Sequence, residues 1–477
     1  MNNIFYILVD SVRNYKKDND KTDDRDKLDF MFEFEDESVY FSNMATSAPS
    51  TIMSVSAMMT SQPAYYIAKS YDDFRYNRNT FFSLSWILKD NGFKNHSIIF
   101  FKEGREKFNT LFDHIPLKYL PRNTRHFDKE WTNKQIYDTF CNYTKNKFNK
   151  NEKNFFYVHY NCRNDINTSR IVKDTISKIK ELDNDSLIIL CSDHGYPDPD
   201  RGYSPEKMKK EFGTHDVIMS NDNLLIPFYI RFPKGNKKGK FDHLTSTLDI
   251  TPTILNILNI DYVDFNLKGQ NLLDENYKDN LVRSDARYLY QDGRRTSIMN
   301  KEYKLIYNHD NDTYEVYAYN NDFLEEKNLK NSDEVKINVF VENALEYFYD
   351  TEAQSLFNLI MKEEKEINNK TLFVESVHGL NNKIFEKLNI KLAHCGYDLV
   401  NDCTLCENNI TSFMLDQKAF ENSLNINNDK YQIIKLFNTN KVVKKIIDSI
   451  VSNMNYYQQE PMCLVKDLVK KSKLIFR

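Results

Sequence analysis

Up to about residue 330 the chain alternates short, dense apolar runs with stretches whose apolar residues recur at helical spacing. The runs Ile4–Val9, Ser97–Phe101, Asn154–Tyr160, Leu187–Cys191 and Leu224–Phe232 are short and rich in β-branched and aromatic residues, so they read as buried strands. Between them, Thr51–Thr60, Thr80–Asn91, Thr132–Phe148, Thr168–Leu182 and Ser246–Leu258 read as helices. This alternation of strands and helices predicts an α/β domain on a large, mainly parallel central sheet flanked by helices. The polar stretch from Asp198 to Asp222 follows a strand end and is too irregular for the core, which is where open α/β sheets carry active-site loops.

From about Ser332 the texture changes to longer helical patterns: Glu334–Tyr349, Thr351–Ile367, Lys441–Met454 and Glu460–Lys473. A chain of 477 residues exceeds what one hydrophobic core fills, so the expected division is residues 1–332 and a helix-rich C-terminal accessory domain, 333–477. In the second region Thr371–Glu375 followed by the helical stretch Asn381–Leu388 predicts a small βα unit. No phosphate-binding glycine fingerprint accompanies it, which argues against a nucleotide site there. The role expected of the region is a lid or a homo-oligomer contact.

Charge narrows the function classes. With 65 basic and 69 acidic residues the net charge is -4, and the basic excess of a general nucleic-acid binder is missing. Ile4–Val9 is too short for a leader core, and no run approaches the roughly 18–20 apolar residues of a membrane span. A mean hydropathy of -0.65 agrees, and the expected location is cytoplasmic. Seven scattered cysteines fit reduced thiols better than a disulfide framework. Cys403 and Cys406 have metal-ligand spacing, but without a second such pair buried thiols are the simpler reading.

Three separated segments carry groups suited to a divalent cation and an anion. Asp10 sits just past an apolar strand, a placement that costs several kcal/mol unless the carboxylate is paired or metal-bound. Leu187–Cys191 runs straight into Ser192-Asp193-His194-Gly195, putting an oxygen and an imidazole donor side by side, followed by a glycine that frees the turn. Ala48-Pro49-Ser50-Thr51 leads into a helix whose first turn carries hydroxyls, where free N–H groups and the helix dipole favour an anion. From the residues alone, Ser50 or Thr51 could equally be an N-cap and Asp193 a local turn residue.

As an ordered set these segments resemble the alkaline phosphatase and sulfatase superfamily. The string from Ala48 to Ser61 is similar to its nucleophile segment, where a Cys, Ser or Thr opens a helix ending in Leu-Leu-Thr-Gly. Matching Met58-Met59-Thr60-Ser61 to that ending implies Thr51 as nucleophile and additional metal ligand, with Ser47 the second choice. The strand Ile7–Arg13 implies Asp10 as ligand, and Cys191–Gly195 implies Asp193 and His194. Gly213-Thr214-His215, followed by Leu225–Ile230, looks like the family's substrate-contacting histidine and next strand. Asp249 matches a helix start, and Glu315–Tyr317 with Glu325–Leu329 matches the closing strand and tail. The likeness spans about residues 1–330 and implies an alkaline phosphatase-like sandwich.

Departures shape the expected chemistry. Ser11 stands where sulfatases often have a second Asp, and His194 replaces a frequent Asn, which implies Mn or Zn rather than Ca or Mg; no histidine has an Asp four residues before it, as two-metal members do, which implies a single ion. Thr51 cannot become formylglycine, and Val55 takes the place of the supporting Arg, so phosphate esters are favoured over sulfate. The family's Asp-x-His pair reads Cys162 and Asn164, leaving His159, Arg163 or His215 to meet the substrate and assist the leaving group. The expected function is a metal-dependent phosphoester hydrolase or phosphotransferase with a covalent threonine intermediate, acting on a small molecule such as a sugar or lipid-headgroup ester. The alternatives are a sulfuric ester hydrolase and a catalytically silent binding protein on the same fold.

Overall fold

The computed structural model describes residues 1–14, 30–64, 82–99, 111–116, 132–161, 167–197, 215–286, 294–362, 371–375, 381–400, 410–414 and 431–435, with isolated positions besides. The chain forms two compact units, the first made of residues 1–68 and 74–355 and the second mainly of residues 356–477.

In the first unit the order is β1 (Asn3–Asp10), α1 (Phe30–Glu35), β2 (Val39–Ala45), α2 (Thr51–Thr60), α3 (Leu84–Asp90), β3 (Lys94–Ile99), α4 (Asn133–Lys147), β4 (Asn154–Asn161), α5 (Thr168–Leu182) and β5 (Leu187–Cys191). Then come β6 (Leu225–Ile226), β7 (Phe228–Arg231), β8 (Gly239–Ser246), a 3-10 turn Thr247–Asp249, α6 (Ile250–Ile257), and β9 to β12 at Val282–Ala286, Arg295–Met299, Lys304–Asn308 and Thr313–Tyr317. The main sheet has eight strands, in the order β3-β4-β1-β5-β7-β2-β6 with β8 also on β2. The run β3-β4-β1-β5 is parallel. All eight residues of β1 are buried, as a central parallel strand covered on both faces requires. Its Phe5 stacks on Phe156 of β4 in a core shared with Phe140 of α4 and Ile176 of α5.

The local code for several elements is plain. At the start of α4, Thr132 accepts from the Gln135 N–H while Gln135 reaches back to the Thr132 N–H, a complete capping box. The single strand expected over Leu224–Phe232 is split at Pro227, which has no N–H for the ladder. One half then pairs with β2, and the other with β5 and β2. Beside the parallel strands lies a second, four-stranded antiparallel sheet, β12-β11-β10-β9.

The helices expected at Glu334–Tyr349 and Thr351–Ile367 form one, α7 (Val335–Lys362). Thr351 does not break it, because its hydroxyl bonds back to Tyr347 O at 2.8 Å. In the second unit the expected βα pair appears as β13 (Thr371–Glu375) and α8 (Asn382–Ala393). With β14 (Asp398–Val400), β15 (Ile410–Met414) and β16 (Tyr431–Lys435) it completes a four-stranded, all-parallel sheet. This C-terminal region is therefore α/β in its described residues. The expected helices at Lys441–Met454 and Glu460–Lys473, and the Cys403–Cys406 pair, lie outside them.

Candidate active site

Register brings the first two carboxylates together. In the parallel pair β1–β5, Leu8 lies opposite Cys191, so Asp10 and Asp193, each two residues further on, leave neighbouring strand ends side by side. Ser11 then turns the chain with φ 61°, a left-handed conformation that costs a non-glycine residue about 1–2 kcal/mol. That turn aims the Ser11 N–H at Asp193 Oδ1 (3.1 Å), and Val12 N donates to Ser192 Oγ (2.9 Å), tying the two strand ends together.

Helix α2 brings the hydroxyl. Thr51 Oγ1 lies 3.2 Å from both Asp10 Oδ2 and His194 Nε2. The rest of the helix, Ile52–Thr60, is buried, and its Ser54 donates to Asp193 O at 2.6 Å, as does Thr46 from the preceding strand end. Ser50 occupies the N-cap position with no side-chain capping bond, so its hydroxyl does not take up the first-turn N–H groups of α2. At the other end Ser61 is left-handed (φ 50°, ψ 36°), the conformation for which glycine is the default residue. This is the position where sequence register set Ser61 against the family's glycine.

Asp10, Asp193 and His194 each present a ligand atom within 4.8 Å of the others, and among the described residues no other such group occurs. His194 Nδ1 lies 2.7 Å from Gly195 O, a bond that a protonated Nδ1 makes, and Nε2 is the nitrogen turned toward Thr51. Asp193 Oδ2 is buried without a hydrogen-bond partner. Burial, and then the Asp10 charge, raise Asp193 above the ordinary carboxylate range. Burial works the same way on Asp10, but the His159 imidazole beside it and the charge of His194 hold it well below that range. His194 would be lowered by burial, yet Asp193 and Asp10 raise it. Two buried carboxylates and an imidazole, with one oxygen unmatched, are a donor set that fits a divalent cation and is poorly satisfied without one.

The other expected residues are spread around this cluster. His215, in a 3-10 turn, has its ring centroid 5.1 Å from that of His194 and its Nε2 3.1 Å from Asp216. His159 is fully buried on β4, its Nδ1 3.2 Å from the Tyr157 hydroxyl and its Nε2 3.8 Å from Asp10 Oδ2, so it stands behind the carboxylate. Arg163, with Cys162 and Asn164, lies outside the described residues, as does most of the loop from Asp198. Ser47 is buried and accepts from Thr247 Oγ1 at 3.2 Å. Asp249 completes a capping box with Ser246, and burial lifts its carboxyl to about 6.

Sequence reasoning did not find Thr46, Ser54 or Tyr157. Small hydroxyls in a dense apolar helix were the available signal for Ser54, since a buried hydroxyl needs a partner. Gly195 has a second reason to be glycine: a Cβ there would stand 1.9 Å from Asp222 O, because the loop after Asp193 runs against the backbone of Asp222 and Asn223.

A family model described as Sulfatase matches residues 2–165, and one described as N-sulphoglucosamine sulphohydrolase, C-terminal, matches residues 210–349. No curated protein matches the chain. Among solved structures, a putative sulfatase from Bacteroides thetaiotaomicron aligns with TM-score 0.55 at 14% identity, over 77% of this chain and 94% of that one. The phosphonate monoester hydrolase of Agrobacterium radiobacter aligns with TM-score 0.53 at 11% identity (72% and 95% covered). The lipoteichoic acid synthase LtaP from Listeria monocytogenes aligns with TM-score 0.51 at 15% identity (72% and 92% covered). These structures share the fold, and the two family models together take in both the Asp10–Thr51 segment and the region after His194. The chain belongs to the alkaline phosphatase and sulfatase superfamily of enzymes.

Proposed function

We propose that the chain is a metal-dependent phosphoester hydrolase or phosphotransferase in which Thr51 is the nucleophile. One observation carries this reading: Thr51 Oγ1, at the free N-terminus of α2, lies 3.2 Å from both Asp10 Oδ2 and His194 Nε2. Asp10, Asp193 and His194 would hold the ion, with Thr51 completing the set. Their mixed oxygen and nitrogen donors favour Mn or Zn over Ca or Mg. A divalent cation there supplies charge neutralisation and lowers the pKa of the hydroxyl beside it.

The chain's own groups do the rest. Thr51 Oγ1, its hydroxyl proton passing to solvent, attacks phosphorus in line; the new P–Oγ1 bond forms and the bond to the leaving oxygen breaks, that oxygen taking the electron pair and a proton. His215, whose ring lies beside that of His194, would donate that proton and hold a nonbridging oxygen. First-turn N–H groups of α2 hold the other oxygens. Water or an acceptor alcohol then takes the phosphoryl group from Thr51, which separates a hydrolase from a transferase. The substrate class is a small phosphate ester, of a sugar or a lipid headgroup.

A second reading, a sulfuric ester hydrolase with an unmodified threonine, draws on the family models' descriptions. Aryl phosphate, phosphodiester, phosphonate and sulfate esters, assayed with added Mn or Zn and with or without glycerol as acceptor, separate the two. The expected result is turnover of a phosphorus ester that Thr51→Ala abolishes. Turnover of the sulfate ester alone would transfer the proposal to the second reading, and undiminished activity in Thr51→Ala would remove the nucleophile.

A further inference from the structure

The antiparallel sheet β9–β12 has two faces of opposite character. In β11, Tyr307 packs on Phe348 of α7 (centroids 4.2 Å apart), so Leu305 and Tyr307 face that helix. Residues 304, 306 and 308 therefore face the body of the same unit. Cross-strand register puts Arg295, Asn308 and Thr313 in one row on that inward face, Ile306 with Glu315 in the next, and Lys304 with Tyr317 in the third. An inward face built mainly from charged, amide and hydroxyl side chains is the anomaly, because such a face ordinarily supplies core.

That face closes on its neighbour only in part, where Ala286 and Ile306 pack on Val217–Met219. Between it and the segment Val217–Ser220 lies a cleft of about 370 Å³, within the roughly 300–1,000 Å³ of small-molecule sites. Two of its lining residues are fixed by the buried Lys304 ammonium, which is bonded to Met219 O and, at the same 2.8 Å, to Asn221 Oδ1, and is paired with Glu325. On the facing wall the Ser220 hydroxyl is buried without a hydrogen-bond partner. The cleft begins two residues after His215.

We propose that this cleft is a binding site for a neutral polyhydroxylated ring, a sugar. Arg295 and Glu315 put both signs of charge on one wall, which offsets the attraction a phosphate or sulfate dianion would feel and leaves a ligand that both donates and accepts. The Asn308 amide and the Ser220 and Thr313 hydroxyls add further donors and acceptors, and Tyr317, in the row with Lys304, brings an aromatic ring for the apolar C–H face of a sugar. The site uses none of the ester chemistry at Thr51.

The test is direct binding to the full chain, by calorimetry and ligand-observed NMR. The probes are methyl glucoside, methyl galactoside, N-acetylglucosamine and maltotriose. At least one binds the unmodified protein and Thr51→Ala equally. Glu315→Ala and Asn308→Ala, checked for unchanged melting, each weaken it about tenfold or more, as expected for losing a hydrogen bond to a charged or amide group. Should no probe bind, or should both substitutions leave binding unchanged, the proposal is overturned. Because Thr51→Ala carries the binding measurement, failure of the ester reading and failure of the cleft are read separately.

Discussion

Replacing Gly195 by alanine is the smallest change that should disable the site, and the structure sets its size. Gly195 is not among the glycines with positive φ, so its backbone conformation tolerates a Cβ. The obstruction is steric: that Cβ would stand 1.9 Å from Asp222 O and 2.9 Å from Asp222 C, backbone atoms with no rotamer to escape by. Restoring even a 3.0 Å contact takes about 1.1 Å of separation between two segments joined by Gly195 N to Asn223 O (2.8 Å) and Tyr196 N to Asp222 O (3.1 Å). His194 is fastened to Gly195 O and must move with it. A misplacement of about 1 Å at a catalytic group costs about 10²-fold in rate. Overpacking adds about 1–3 kcal/mol of destabilisation, and each strained hydrogen bond about 1 more. The assay is kcat/KM at saturating metal together with urea unfolding. Gly92→Ala is the control, since Gly92 has φ 84° with nothing within 4 Å of the new Cβ. It should lose only the left-handed backbone preference, about 1–2 kcal/mol, and no activity. A Gly195→Ala enzyme with unchanged kcat/KM and midpoint would refute the reasoning.

Three further outcomes are expected. Chelation should lower the unfolding midpoint, and added Mn or Zn should restore it by about 2.7 kcal/mol at a hundredfold excess over Kd, while Asp193→Asn responds to neither; a chelator-insensitive melt refutes this. His96, buried between Tyr143 and Asn154, is lowered to about 4 mainly by burial. The unfolded chain therefore binds the proton first as pH falls, and about 3 kcal/mol of stability present above pH 6.5 is lost by pH 4. His96→Phe should flatten that part of the stability–pH curve, and an unchanged slope refutes it. Lys304→Met leaves Glu325 buried without its cation and should cost about 3–5 kcal/mol, whereas Lys304→Met with Glu325→Leu should cost less than that single change. A double substitution as costly as the sum of the singles would contradict the pairing.

What the sequence disclosed follows from how each element meets its physical needs. β1, β4 and β5 are buried on both faces and so announce themselves as continuous apolar runs, and α4 is announced by its capping box. β2 and β8 were not legible. Their polar residues interrupt the apolar runs that mark the other strands, and in the structure Ser42 bonds to Asp242, and the Asn43 amide to Asp242 O, across the pair. The inward face of β10–β12 was hidden for the same reason, because its polar residues line a cleft instead of a core. At the site, the grouping of Asp10, Asp193 and His194 was readable because each ends or follows an apolar strand, where a charged group needs a reason. The place of His159 was not, since period-two alternation has no meaning on a strand buried along its whole length.

The central position of β1 also sets a timetable for making the protein. Asn154, which opens β4, follows Asp10 by 144 residues, and β5 comes later still. At a synthesis rate of roughly 5–20 residues per second, a strand with two apolar faces waits roughly 7–30 s for its first parallel neighbour. During that interval its edges are open, so the segment that carries the first carboxylate waits as an unpaired apolar strand, the kind of segment that chaperones shield.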